Sequence, residues 1–174
     1  MDASTSSVVA FFRRLTQLAT DYILACLNEE NVDESFLLDD LSYCYRIPFA
    51  LIEMGRKELA GRVLQSICRR YMLPNGDFRQ TIDLKSADPK LNQFDLSINA
   101  WILVAAMHLG RDEVLEQGML FVEQHWMEDW EVYVSSFRSK SPYIDFFSLS
   151  DVAILLLSLN YNGEYAIIIH SSLA

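Results

Sequence analysis

Apolar residues recur at three- and four-residue spacing through most of the chain, the period of helices that bury one face. From about Ser7, the residues Val8, Phe11, Phe12, Leu15, Leu18, Ala19, Tyr22, Ile23 and Cys26 fall on one side and predict a first helix, with Thr5, Ser6 or Ser7 as its cap. A polar break over 28–34 follows. A second helix is predicted over about 41–54 with Asp39 or Asp40 as N-cap. Pro48 inside it is expected to cost a backbone hydrogen bond and kink it. Gly55 ends it in the left-handed conformation that glycine tolerates. A third helix over about 58–71 gathers Leu59, Val63, Leu64, Ile67 and Cys68 on one face, with Arg62, Arg69 and Arg70 mostly on the other.

The pattern then repeats. Asp40-Leu41-Ser42, Asp95-Leu96-Ser97 and Ser148-Leu149-Ser150 each open an apolar run, and each begins fifteen residues before a glycine: Gly55, Gly110 and Gly163. Repeats of about 40–72, 95–127 and 148–174 follow. A period near or slightly above about 50 residues marks a stack of units that cannot each bury a core alone. The expected fold is all-α: antiparallel helical hairpins in an arc, six to seven helices in one domain spanning 1–174. The links between repeats are long. The first carries the turn signal Pro74-Asn75-Gly76-Asp77-Phe78, and the second holds Trp130-Glu131-Val132-Tyr133-Val134, read as a short strand. Long ordered links are often functional. They gather at the end where the first helix of each repeat begins, so a site is expected there.

Composition narrows the function. Fourteen basic residues against 24 acidic ones give a net charge of −10, which disfavours nucleic acid and anionic membranes as partners. The longest apolar run is too short to span a bilayer. Cys26, Cys44 and Cys68 are scattered and odd in number, so they predict buried thiols rather than a disulfide framework. The N-terminal stretch lacks the pattern of a signal peptide, and a cytoplasmic setting is expected. No metal cluster or phosphate-cradling loop is legible, so no cofactor is expected.

The Gly55-Arg56-Lys57-Glu58 and Gly110-Arg111-Asp112-Glu113 turns, with Asn75-Gly76-Asp77-Phe78 after one hairpin, resemble the α/α-toroid proteins. The likeness is to terpenoid-cyclase and prenyltransferase-type repeats and their relatives in specialised metabolism. It runs over about 40–165 and covers about half a toroid. It implies an enzyme that cyclises or isomerises an apolar, terpenoid-like or polycyclic substrate. The Asp-x-Asp-Asp and Asp-Asp-x-x-Asp motifs of such cyclases are absent, as is a zinc set. The half-ring implies a homodimer, an open arc or a piece of a larger ring.

The candidate catalytic residues are Asp77, His125 and Asn99. Asp77 is a possible general acid, although a turn aspartate ordinarily bonds its own backbone. His125, near the long links, is a candidate for acid–base work near neutral pH. Asn99 sits inside an apolar helix and needs a partner if buried. Tyr43, Tyr45, Phe49, Phe78, Trp101 and Asp95 are the candidate substrate-binding residues. Their rings suit an apolar cavity, and ordinary core is the competing reading; for Asp40 and Asp95 it is helix capping. Asp151 and Arg46 are too costly to bury unpaired. His108 is read as a structural residue at a helix C-terminus. The alternative function is a non-catalytic helical scaffold for a protein partner.

Overall fold

A computed structural model describes residues 3–27, 40–81, 84–86, 94–134 and 146–161. The chain is all-α: among the described residues there are six α-helices and one two-stranded sheet. It divides into two units, Met1–Phe36 and Leu37–Ala174. The first holds α1, Ala3–Leu27, on which Gln17 donates to Asp21 one turn on, at 2.8 Å. Phe11, Leu15, Leu18 and Tyr22 of the predicted apolar face are exposed.

The second unit begins with Asp40, which caps a 3-10 turn over Leu41–Tyr43 by accepting from the Ser42 N–H. The continuous helix expected over 41–54 is therefore divided. Only Ile47–Glu53 is α-helix, α2, and Pro48 stands in its first turn. There its missing N–H is one of the donors that have no helical partner anyway, so proline starts this helix instead of kinking it. Gly55 follows with φ +74°. Then α3, Lys57–Tyr71, buries Leu59, Ala60, Val63, Leu64 and Ile67, and Arg62, Arg69 and Arg70 stay exposed.

Helix α4, Asp95–His108, is apolar all round and buried almost throughout. Such a helix belongs in a core. It packs against α2, α6 (Phe146–Tyr161) and α5 (Asp112–Glu123), and more lightly against α3. The first helices of the repeats, α2, α4 and α6, thus lie in series, while α3 and α5 each pack on the helix before them. Leu96, Ile98, Ile102 and Leu103 are fully buried, each worth about 1.5–3 kcal/mol over exposure. Asp95 is the first helical residue, and Phe94 occupies the cap position without a side-chain bond. Asp95 is therefore not the N-cap, and its side chain lies outside the described residues.

The strand read over 130–134 is shorter. Val132–Tyr133, β2, pairs antiparallel with Trp126–Met127, β1, around a 3-10 turn over Glu128–Trp130. The predicted second helix of the third repeat, near Glu164, lies outside the described residues. No described helix is long and apolar enough to cross a membrane.

Two turn glycines differ in a way that can be measured. Both have positive φ, but a Cβ at Gly55 meets nothing within 4 Å, whereas one at Gly76 overlaps the Gln117 backbone carbonyl on α5. Gly55→Ala should therefore cost only the left-handed conformation, about 1–2 kcal/mol. Gly76→Ala should cost more than about 3 kcal/mol, because backbone has to move as well. Urea unfolding of the two variants gives the comparison, and equal losses would refute the close approach.

Candidate functional site

The connection after α3 folds back at once. The Leu73 N–H donates to the Asp77 carbonyl at 2.8 Å, the Gly76 N–H to the Leu73 carbonyl at 2.9 Å, and the Arg79 N–H to the Tyr71 carbonyl at 2.8 Å. The Asn75 carboxamide oxygen accepts from the Asp77 N–H at 3.2 Å. The turn-making role expected of Asp77 thus belongs to Asn75, and the Asp77 carboxylate is left for other partners. Gln117 of α5 donates to the Leu73 and Pro74 carbonyls and fastens the turn to that helix.

Asp77 is fully buried and ion-paired to two cations, Arg79 and Lys85. Lys85 is itself fully buried. Its ammonium also donates to Asn99 Oδ1 at 2.5 Å and lies 5.0 Å from the centre of the Phe121 ring. Asn99 accepts a long bond from the Phe78 N–H at 3.5 Å and donates to the Gly76 carbonyl at 3.3 Å. Three polar side chains inside a core thus satisfy one another, as burial requires. The Phe121 ring continues to His125, 4.6 Å between centroids. The His125 Nδ1 stands 3.0 Å from the Phe121 carbonyl. A carbonyl only accepts, so Nδ1 carries the proton.

A second cluster lies along α2 and α4. Trp101 and Phe49 are 5.3 Å apart and Phe49 and His108 are 5.8 Å apart, centroid to centroid. The Arg46 guanidinium sits over both the Tyr45 and Trp101 rings, at 5.1 and 5.2 Å. Tyr45 is buried. Burial pushes its hydroxyl above the ordinary range, Arg46 opposes this, and Asp151 adds to it. Asp151 of α6 is buried and accepts from the Ser97 hydroxyl of α4 at 2.5 Å. Trp101 Nε1 is buried and has no hydrogen-bond acceptor among the described residues.

The candidates therefore separate. Asp77, Asn99 and Phe78 meet at the Lys85 node, with His125 one ring away. Tyr45, Phe49 and Trp101 share the aromatic wall. Tyr43, expected on an inner wall, is 67% exposed, because the 3-10 turn ends the register a continuous helix would have kept. Asp40 has its cap and also accepts from the Ser86 hydroxyl at 2.8 Å. Sequence reasoning missed Lys85 and Ser86, which lie in a polar stretch without periodicity. The one signal was indirect: Asp77 and Asn99, if buried, call for a cation nearby. Among the described residues no group of His, Cys, Asp or Glu could hold a metal ion. No family model, no curated protein and no solved structure matches the chain.

Removing one partner of a buried ion pair leaves the other uncompensated. Lys85→Met should lose about 3–5 kcal/mol in urea unfolding. Adding Asp77→Asn should recover part of it, a coupling of at least about 1 kcal/mol. Purely additive losses would show that the two side chains act independently.

Two thiols, Cys44 buried and Cys68 half-buried where burial was expected, give the unit a pH dependence. Burial, with Asp40 adding and Arg70 opposing, pushes Cys44 from an ordinary 9.0 to about 12. Burial, with Glu113 adding and Arg111 opposing, pushes Cys68 from 9.0 to about 11. Below the ordinary value both states keep their protons. Above it the unfolded chain holds fewer, so stability falls as pH rises through 9.0 towards about 11 and 12. The urea midpoint should drop between pH 8 and 10.5 (values on the order of the thiol range). The drop should be smaller in a Cys44→Ala/Cys68→Ala variant.

Proposed function

We propose that the chain is a small-molecule enzyme of the α/α-toroid kind, an arc of hairpins that isomerises an apolar, polycyclic or terpenoid-like substrate in specialised metabolism. The observation that carries the reading is the buried Trp101 Nε1–H, without an acceptor among the described residues and set in a wall of Tyr45 and Phe49 beneath the Arg46 guanidinium. A stranded donor costs about 1–3 kcal/mol, and a ligand oxygen would satisfy it.

The wall favours one of the two expected reactions. Cyclisation through a carbocation uses open π-faces to stabilise positive charge. Here Arg46 already occupies the faces of Tyr45 and Trp101, and a second cation would be repelled. Arg46, the Tyr45 hydroxyl and Trp101 Nε1–H are instead three donors that suit a developing oxyanion. Burial keeps the Tyr45 proton in place. Asp151 is the base. It removes a proton from the carbon beside a ketone, the enolate oxygen is held by the donors, and the same proton returns two carbons further on. The double bond moves and nothing is gained or lost. Ser97 orients the carboxylate. Asp77, Asn99 and His125 take no part in the transfer: Asp77 is paired to two cations, Asn99 accepts from Lys85, and His125 Nδ1 donates to the Phe121 carbonyl. A dimer that completes the arc is compatible with this reading.

A second reading, a scaffold for a protein partner, is favoured by the exposed Ile154 and Leu157 on α6.

The test is a polycyclic β,γ-unsaturated ketone, followed by the absorbance of the conjugated product. The chain should convert it with saturation and quench tryptophan fluorescence as it binds. Tyr45→Phe should lower kcat by about 10²–10³, and Asp151→Asn should abolish turnover with binding retained. Absence of both turnover and saturable quenching would sink the enzyme reading and leave the scaffold.

A further inference from the structure

The Gly-Arg turns do more than join helices. At that end of the unit a cleft of about 790 Å³ opens between the start of α3 and the α4–α5 turn, lined by Lys57, Glu58, Gly61, Arg62, Gln65, His108 and Arg111 among others. Three cationic side chains and one imidazole face one carboxylate there, in a chain whose net charge is −10. Asp112 and Glu113, in the first turn of α5, are not part of the lining.

Gly61 is the second observation. Glycine is a poor residue for a helix interior, yet it stands within α3 on the floor of this cleft. A Cβ there would sit 4.0 Å from the Arg111 guanidinium. The missing side chain therefore leaves the floor open, with Arg111 poised over it. Arg56 and Arg111 occupy the cap positions of α3 and α5 without side-chain cap bonds, so the first-turn N–H groups add positive potential on the same side.

We infer that this cleft binds a small oxyanion carrying two or more negative charges, of the diphosphate class. Lys57 and Arg111 supply the ionic contacts, Gly61 the space, and His108 the wall shared with the aromatic cluster through Phe49. Volume and charge agree: clefts of about 300–1,000 Å³ hold small ligands, and a guanidinium with an ammonium suits phosphate oxygens. The site is separate from the isomerase reading and stands or falls without it.

The experiment is a titration of the full chain with inorganic pyrophosphate at fixed ionic strength, read from the imidazole proton resonances of His108. A saturable shift is expected at His108, with buried His125 unmoved. Arg111→Ala and Lys57→Ala should each weaken binding about tenfold, the scale of one charge-assisted contact. Gly61→Leu should weaken it too, and it replaces a poor helix former with a good one, so it reads the cleft even if a charge variant unfolds. The proposal is overturned if sodium chloride at matched ionic strength shifts His108 equally, or if all three variants bind pyrophosphate as the parent chain does.

Discussion

The burial of α4 on nearly every side between Leu96 and Met107 is the constraint from which the rest follows. A helix with no solvent face can carry a polar side chain only if another part of the chain comes to meet it. Asn99 is that side chain. Its carbonyl oxygen draws in the Lys85 ammonium and its amide reaches the Gly76 carbonyl. Lys85 in turn cannot enter the core without a counter-charge, and Asp77 supplies it. One asparagine thus fixes both ends of a stretch that has little regular structure of its own. Gln117 and the close approach of Gly76 to α5 then hold the same turn from the other side.

That saturation decides where proton chemistry can occur. Asp77 is paired to two cations, and the Asn99 oxygen already accepts from the lysine. Removing either partner from the Asp77–Lys85 pair would strand a charge in a low-dielectric setting, where that is most expensive. At the aromatic wall the balance is different. Tyr45 keeps a proton because burial disfavours its anion, Asp151 accepts from the Ser97 hydroxyl, and Arg46 is stacked without being buried. Each cluster holds an aspartate and an arginine. They differ in how completely those residues satisfy one another.

The sequence made the helices legible because burial writes its period directly into residue order, and the glycines at 55 and 110 were legible because few other residues take φ of +74° and +61°. Asp40 as a cap, Asn99 as a buried group in need of a partner, and the Tyr45–Phe49–Trp101 grouping were readable for similar reasons. What failed was whatever depends on a turn's exact geometry. Pro48 was placed inside a helix that in fact begins beside it. Tyr43 was given an inner face that the intervening 3-10 turn removes, and Asp95 was given a cap position held by Phe94. Lys85 was invisible for a deeper reason. A lysine in a polar stretch looks like surface, and only the joint burial of Asp77 and Asn99 brings it inside.

A fold that can bring a lysine into its core to satisfy one asparagine is able to satisfy its polar groups. The exceptions then carry information. Trp101 lies on the same helix, two residues from Asn99, yet its Nε1–H is buried without an acceptor among the described residues. An unmade bond of that kind costs stability of about the size that a single bound ligand oxygen returns. Arg46 lies over both the Tyr45 and Trp101 rings, and Asp151 of α6 helps to push the Tyr45 hydroxyl up. The node and the wall thus share one helix and differ in how far the protein satisfies its own buried polar groups: Asn99 has its partners, and Trp101 Nε1–H lacks one among the described residues.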